Sequence, residues 1–447
     1  MVLIHVLFTL LFVINFMLKG YLVWYVDTQP IFDFARYYQA AIDLADGHGF
    51  VMFGRTTAFQ GVGYPGFLAF FFSMFGPSLL LAKSLNWILS LLSALLFYHI
   101  AKRFLPSGVA MLATTLYIYL PKEILYVNVL GSELLFNALM LGYLASYFKS
   151  WPEQGKRATR QWIWLIGAGL LLGCMSLVKP LSPLFGFLVV IGELGRCIGT
   201  SLAAQKGVWW KGILRTAVVA ILSIAVIAPW TYRNYQVFDA FVPMTTNGGY
   251  VLYVNNNPYA TGAWMDPYTI PGSPIHEVSY PESDPRFEVE MNQRLKEAAQ
   301  EWIIDNPGRF MQLMLYRFYE TFYTNWDWKW AFESNEPIIS DQTKAVIHRV
   351  TMVMHGILAS PYYLAMPVVL IGFLGTALSR RKRMKMGLGT WEKSLALVLF
   401  TIPALMITTV TMIFEGNSRY SFPCHPAFAV YAAMVPWLVT KLYKTNN

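Results

Sequence analysis

Charge is what this chain has least of. Asp, Glu, Lys and Arg make up only 13% of its 447 residues, against roughly 25% in a soluble globular protein. That shortage excludes an ordinary soluble enzyme and points to a chain folded in lipid. Cysteine is also scarce: Cys174, Cys197 and Cys424 are too few and too scattered for a disulfide framework or a metal cage. A removable signal peptide is not expected either. The first apolar run has no basic stretch before it, and Trp24-Tyr25-Val26-Asp27 follows where a small-residue cleavage site would stand, so it reads as the first membrane helix. No internal repeat of the transporter kind is evident.

What the chain does have is apolar length, with 56% hydrophobic and 16% aromatic residues. Ten apolar segments lie near 2–24, 78–101, 107–121, 133–150, 162–178, 180–195, 213–231, 351–378, 394–414 and 426–442. Most approach the roughly 20 residues that a helix needs to cross the hydrocarbon core. The expectation is an all-α polytopic membrane protein with about ten transmembrane helices. Basic clusters at Lys102-Arg103, Lys156-Arg157-Arg160, Lys206 to Arg215, Arg380 to Lys385 and Lys441-Lys444 fall at every second crossing, which predicts that both termini are cytoplasmic. Residues 240–345 hold 14 acidic and 7 basic side chains, a net of −7, and leave +16 for the remainder of a chain whose total is +9. The large polar segment is therefore expected outside, and the basic balance reports topology rather than a nucleic-acid partner.

This divides the chain into a membrane module with its first external loop (1–234), a large external loop (235–350) and a set of C-terminal membrane helices (351–447). In the first external loop, at 25–77, Asp33, Tyr37, Ala40, Ala41 and Leu44 recur at helical spacing, and Gly47 and Gly49 end the helix, which is expected to lie flat at the interface. Tyr64 to Gly76 is apolar but too short to cross, so it reads as re-entrant or surface-lying. In the large loop, Phe287 to Ile304 and Arg309 to Phe322 are helical in period, with a break at Asn306-Pro307-Gly308. The run Phe322 to Trp330 fits an interfacial aromatic belt.

Ionisable residues beside hydrocarbon must be explained one at a time, since an unpaired charge at the centre of a span costs about 2.5–3.5 kcal/mol on insertion scales. Asp33 stands alone just outside the first span. Lys83, Glu133, Lys179, Arg233 and Arg419 fall on the same side of the membrane once the topology is drawn. Each has a plain alternative: lysines and arginines near helix ends snorkel to headgroups, Glu133 after Ser132 suits a helix N-terminus, and Asp33 suits an N-cap. Asp43, Asp46 and His48 look solvent-facing. As a set, one carboxylate beside several cations at an aromatic-lined membrane surface suits a reaction on a lipid-linked phosphate.

The pattern Asp33, Tyr37, Ala40, Leu44, Gly47, Gly49, Tyr64-Pro65 and Phe67-Leu68-Ala69 resembles the opening of the dolichyl-phosphate-mannose–protein mannosyltransferase family, including its bacterial branch with the lipid A aminoarabinose transferases. Ser132-Glu133, Lys179-Pro180, Pro229 to Asn234, Asn247 to Tyr250 and Asn256-Asn257-Pro258 with Thr261-Gly262 look like later motifs of those proteins. Arg419-Tyr420 with Pro423 and His425-Pro426 is similar to their terminal motif.

The resemblance implies the GT-C fold and an enzyme that moves a sugar from a polyprenyl-phosphate donor to an envelope acceptor, whether lipid, polysaccharide or protein, on the external face of a bacterial cytoplasmic membrane. Asp33 is then expected as general base of an inverting transfer. Arg233, Arg419 and Lys179, followed by Lys83 and Arg55, are expected at the donor phosphate, with Glu133, Tyr37, Tyr64, Asn234 and Tyr420 in support. Membrane lipids are the surrounding partners. Two departures from the family pattern matter. Phe34 stands where many members carry a second acid, which weakens a divalent-metal role without removing it, and Gln60-Gly61-Val62-Gly63 replaces a basic residue before Tyr64. A transporter or flippase of lipid-linked sugars is the main alternative, and a structural assembly partner is the third.

Overall fold

The structure, a computed structural model, describes residues 2–152, 157–199, 208–324, 327–332, 340–376 and 391–446. Lys156, Lys206 and the basic cluster at 380–385, and Asn325 and Trp326 of the aromatic run, lie outside the described residues. Helix α1 (Val2–Tyr25) leads to the surface helix α2 (Phe32–Ala45), an antiparallel pair of two-residue strands (β1, Val51–Met52; β2, Arg55–Thr56), α3 (Gly63–Phe75) and α4 (Leu79–Phe104). Then come α5 (Ser107–Ile118), the single turn α6 (Pro121–Leu125), α7 (Glu133–Lys149), α8 (Ala158–Val178), α9 (Phe187–Gly199) and α10 (Val208–Phe238). The polar segment carries α11 (Gly248–Asn255), α12 (Arg286–Asp305), α13 (Pro307–Phe322) and α14 (Asp327–Phe332). After it stand α15 (Asp341–Thr376), α16 (Trp391–Ile413), a 3-10 turn (Ser418–Cys424) and α17 (His425–Asn446).

Among the described residues five helices are long and apolar enough to cross a membrane: Val2–Tyr25, Leu79–Phe104, Ala158–Val178, Trp209–Phe238 and Trp391–Ile413. The chain is a multi-pass helical membrane protein. Its packed centre is α7, buried almost all round between α4 and α8, whereas α1 turns most of its surface outward, as a lipid-facing helix does. Gly169 and Gly173, spaced four apart on α8, let α10 close in. A Cβ at either would meet Leu222 Cβ at 2.8 Å or Val226 Cβ at 2.6 Å, the close backbone approach that small residues allow between membrane helices.

The elements between the spans follow their local chemistry. Helix α2 ends where Gly47 and Gly49 take φ of +81° and +84°, a region glycine enters without a Cβ clash. At 13 residues α3 spans about 20 Å, short of the roughly 30 Å core. The expected break at 306–308 is narrower than the sequence suggested: only Asn306 leaves the helix, and Pro307 opens α13, because a first-turn residue has no need of its N–H.

Two buried polar side chains tie these loops together. Glu288 of α12 accepts from Thr57 Oγ1 at 2.5 Å, Thr246 Oγ1 at 2.8 Å, the Ala58 N–H at 3.2 Å and Arg55 Nε at 3.3 Å. Arg317 of α13 donates to the carbonyls of Met412 and Ile413 at 2.8 and 2.9 Å, to Asn256 Oδ1 at 2.8 Å and to the Asn255 carbonyl. It thereby fixes the end of α16 against the polar segment. Arg317→Met keeps the length of the stem but strands these buried acceptors, at about 1–3 kcal/mol for each left unmade. The expected result is a clearly lower melting temperature of the purified protein in detergent, and an unchanged one would refute this role.

Candidate functional site

The first turn of α2 is where the site begins. Phe32 adopts φ of +49°, a left-handed conformation that costs a non-glycine residue about 1–2 kcal/mol and turns the extended chain abruptly into the helix. The N-cap is Ile31, which supplies no side-chain bond, so Asp33 is not spent on capping. Its carboxylate meets cations from two directions. Arg36, one turn along the same helix, donates to Oδ1, and Arg419, from the 3-10 turn between the last two spans, donates from Nη1 to Oδ2 at 2.8 Å. Burial pushes the Asp33 pKa up, but Arg419 and Arg36 outweigh it and hold the carboxyl below the usual aspartate value.

A second ion pair lies beside the first. Lys179, directly after α8, donates to Glu133 Oε1 at 2.9 Å. Tyr420 separates the pairs, its ring centroid 5.2 Å from Arg419 Cζ and 5.8 Å from Lys179 Nζ. The Tyr420 hydroxyl donates to Glu415 Oε2 at 2.9 Å, and burial raises the Glu415 pKa. Burial raises the Tyr37 pKa as well, and Asp33 and Glu133 add to it, so this tyrosine sits in the field of both carboxylates. Its ring meets Tyr64 edge-on at 5.8 Å, and Tyr64 is anchored by its hydroxyl to Asn86 at 3.2 Å. Gln60 adds a side-chain hydrogen bond to Asp33. It reaches that position because Gly61 and Gly63 lie against the backbone of Leu177 and Val178, where a Cβ would come within 2.6 Å.

Arg419 is held from beneath by residues the sequence reasoning missed. Lys122 Nζ donates to the Ser418 carbonyl at 2.8 Å and to Ser421 Oγ at 3.0 Å, while the His425 ring nitrogen Nδ1 lies 3.0 Å from Glu123 Oε1. The only sequence signal was a Lys-Glu pair, Lys122-Glu123, following Pro121 between two apolar runs. Arg36 was missed as well, although its spacing of three from Asp33 puts both on one helix face.

Of the expected site residues, the structure gathers Asp33, Arg419, Lys179, Glu133, Tyr37, Tyr64 and Tyr420. It does not bring Arg233, Asn234, Arg55 or Lys83 into hydrogen bonding with them. Arg233 donates to the carbonyls of Thr57 at 2.8 Å and Phe50 at 3.4 Å and lies over Trp230 at 4.6 Å, and Asn234 donates to the Val242 carbonyl at 3.0 Å. Arg55 pairs with Glu288, and Lys83 donates to the Val26 carbonyl at 3.4 Å. These side chains pin the loops that follow α1, α2 and α10.

Four buried polar atoms of the gathered set have no hydrogen-bond partner within the protein: Arg36 Nε, Arg419 Nε, Gln60 Oε1 and Glu133 Oε2. Two are donors from cations and two are acceptors, a set that matches a phosphate together with hydroxyl groups. Among the described residues no three His, Cys, Asp or Glu side chains converge as a metal cage requires, and Asp33 and Glu133 are each engaged by a cation.

No protein-family model matches the chain, and no curated protein matches it in sequence. Solved structures do. The oligosaccharyltransferase AglB of Archaeoglobus fulgidus, in complex with an inhibitory peptide and a dolichol-phosphate, superimposes with a TM-score of 0.53 at 12% identity, over 98% of this chain and 51% of that one. The apo form of an Archaeoglobus fulgidus oligosaccharyltransferase gives 0.54 at the same identity and coverage. ArnT of Cupriavidus metallidurans bound to undecaprenyl phosphate is a more distant likeness, with a TM-score of 0.41 at 11% identity, over 96% of this chain and 76% of that one. The chain spans about half the length of the archaeal enzyme. The fold is that of the GT-C membrane glycosyltransferases.

Proposed function

We propose that the protein is a glycosyltransferase that moves a sugar from a polyprenyl-phosphate donor to an envelope acceptor, at the external face of a bacterial cytoplasmic membrane, with both termini in the cytoplasm. The observation that carries this reading is the convergence of Asp33, Arg419, Glu133 and Lys179 around Tyr420, with donors and acceptors left over for a ligand. AglB, solved in complex with a dolichol-phosphate, shares the fold and supports a lipid-phosphate donor.

Asp33 takes the proton from the acceptor hydroxyl as that oxygen attacks the anomeric carbon from the face opposite the lipid phosphate. The new C–O bond forms, the bond to phosphate oxygen breaks, its electron pair stays on the phosphate, and the anomeric configuration inverts. Because two arginines hold its carboxyl below the usual aspartate value, Asp33 is a weak base, suited to a transfer in which the proton leaves late. Charge grows on the leaving phosphate, and Arg419 and Lys179 stabilise it more in the transition state than in the ground state, which is the source of the acceleration. Arg419 has five N–H donors, of which Nη1 serves Asp33 and Nε is uncommitted; it can hold both base and phosphate. The remaining candidates, Arg233, Arg55 and Lys83, would act on the donor only by giving up the carbonyls and carboxylate they now hold.

The test is acceptor-dependent release of free polyprenyl phosphate when purified protein meets a polyprenyl-phosphate sugar and an envelope extract. Release is expected. If donor binds and is carried across vesicle membranes without any cleavage, the flippase reading takes its place.

A further inference from the structure

The hairpin of β1 and β2 lies along the face of α2 that carries the site. Phe50 and Met52 are buried against Ala40, with Tyr37 and Leu44 packed beside them, and Ala40 stands one turn beyond Arg36 on the same helix face. Met52 pairs with Arg55, which leaves Phe53 and Gly54 as a two-residue tip. That tip reaches back along α2 towards Asp33. The Phe53 ring centroid lies 5.3 Å from Cζ of Arg36, the arginine that donates to Asp33 Oδ1.

Local chemistry does not account for a phenylalanine here. Both tip residues have positive φ, +55° at Phe53 and +71° at Gly54, as a type I′ turn requires, and its first position favours Asn or Gly because a larger side chain is strained in the left-handed region. The Phe53 side chain is also 53% exposed, so burial does little to offset the strain. A strained and exposed aromatic residue directs attention to the contacts it makes. Besides Arg36, it meets Arg55 Cζ at 5.7 Å and Phe59 edge-on at 5.7 Å. Arg55 is fixed by Glu288 and by the Glu282 carbonyl, and Phe59 packs edge-on against Tyr250 at 5.1 Å. Phe53 is thus braced by anchored neighbours, and Arg36 is the group that its ring is placed to hold.

We propose, taking Asp33 as the base of the transfer reaction, that Phe53 is a positioning residue: its ring holds the Arg36 guanidinium against the Asp33 carboxylate, and the strain at the hairpin tip is retained for that contact. A cation on an aromatic face at an exposed site is favoured by about two- to fivefold. Loss of the ring leaves Arg36 less often at Oδ1 and the Asp33 anion less stabilised, so the carboxyl keeps its proton to higher pH. Arg36 acts there beside Tyr37 on the same helix, Gln60 ahead of α3, and Glu415 and Arg419 between α16 and α17. Glu133 of α7 lies in the field of Tyr37 and Arg419, and Tyr250 of α11 in that of Arg36.

The experiment titrates the Asp33 carboxyl by infrared difference spectroscopy on the full chain in detergent without donor, the band being identified by its loss in Asp33→Asn. Phe53→Asn suits the turn and removes the ring. It is expected to move the midpoint to higher pH, with proton affinity raised by about two- to fivefold. Phe53→Tyr keeps the ring and should titrate as wild type does. On an Arg36→Gln background Phe53→Asn should change nothing further, because the two side chains act through one contact. Phe53→Gly, which also enters the left-handed region freely, stands in if the Asn variant does not elute as a single monodisperse peak. A midpoint unmoved by loss of the ring, or moved equally on the Arg36→Gln background, overturns the proposal, and a lower melting temperature with an unmoved midpoint would make Phe53 a structural residue only. Transfer assayed on the same samples separates this role from the reaction itself. A shifted midpoint without transfer by wild type removes the glycosyltransferase and leaves Phe53 positioning the Arg36–Asp33 pair, whereas transfer with an unmoved midpoint removes only the role of Phe53.

Discussion

Asp33→Asn is expected to lower the rate of sugar transfer by about 10²–10⁴-fold, the range a positioned general base contributes, while the donor still binds. The amide has nearly the shape of the carboxylate, so α2 keeps its packing and Arg419 keeps an oxygen to bond. What is lost is the lone pair that takes the acceptor's proton and the negative charge that holds two guanidiniums in place. The second loss matters for interpretation. Asn leaves Arg36 and Arg419 less neutralised, which favours an anionic donor, so donor affinity should hold or rise while turnover collapses. That split distinguishes a base from a scaffold: a merely structural Asp33 would lose stability and affinity together. Transfer by Asp33→Asn at a wild-type rate would remove this residue from the centre of the reaction, and Glu133, whose Oε2 is buried without a partner, would become the next carboxylate to examine.

Much of the architecture was readable in the sequence because membrane folding punishes ambiguity. Apolar length marked the spans, Gly47 and Gly49 marked the end of α2, and the 13 residues of α3 were visibly too few to cross. Asp33 stood out because nothing near it in the chain explained it. The pairing that gives Asp33 its partner was not readable in the same way: Arg419 is 386 positions away, and the topology put it on the same side of the membrane as Asp33 without placing it beside that residue. The partners of the cations were hidden for a clearer physical reason. A buried arginine has to satisfy its donors, and backbone carbonyls do this as well as a phosphate does. From the sequence Arg233 and Arg419 look alike. In the structure Arg233 bonds Thr57 and Phe50 carbonyls while Arg419 faces a carboxylate and keeps Nε uncommitted. Lys122 and Glu123 were invisible for the converse reason, since polar groups between apolar runs look like loop until the turn that they hold is seen.

Replacing Arg419 should produce the second-largest effect and the more diagnostic one. Arg419→Gln is expected to lower turnover by about 10²–10³-fold, comparable to the loss of one donor to a developing oxyanion, with the greater part in kcat because the interaction strengthens as charge moves onto the leaving phosphate. It should also move the pH dependence, and the sign is fixed by the site. With Arg419 present, Asp33 is held below the ordinary aspartate value against the pull of burial. Without Arg419 that pull is opposed mainly by Arg36, so the Asp33 pKa rises. The reaction needs Asp33 ionised and is lost as pH falls through that pKa, so the acid limb of the rate profile should shift to higher pH in Arg419→Gln. Arg419→Lys keeps a charge but not the fork that reaches base and phosphate together. It should restore most of the pH profile and only part of the rate. The double variant with Asp33→Asn should then be little worse than Asp33→Asn alone, because two groups that act on one transition state do not lose independently. Fully multiplicative losses, or an acid limb that does not move, would mean that Arg419 binds the lipid phosphate without setting the state of the base.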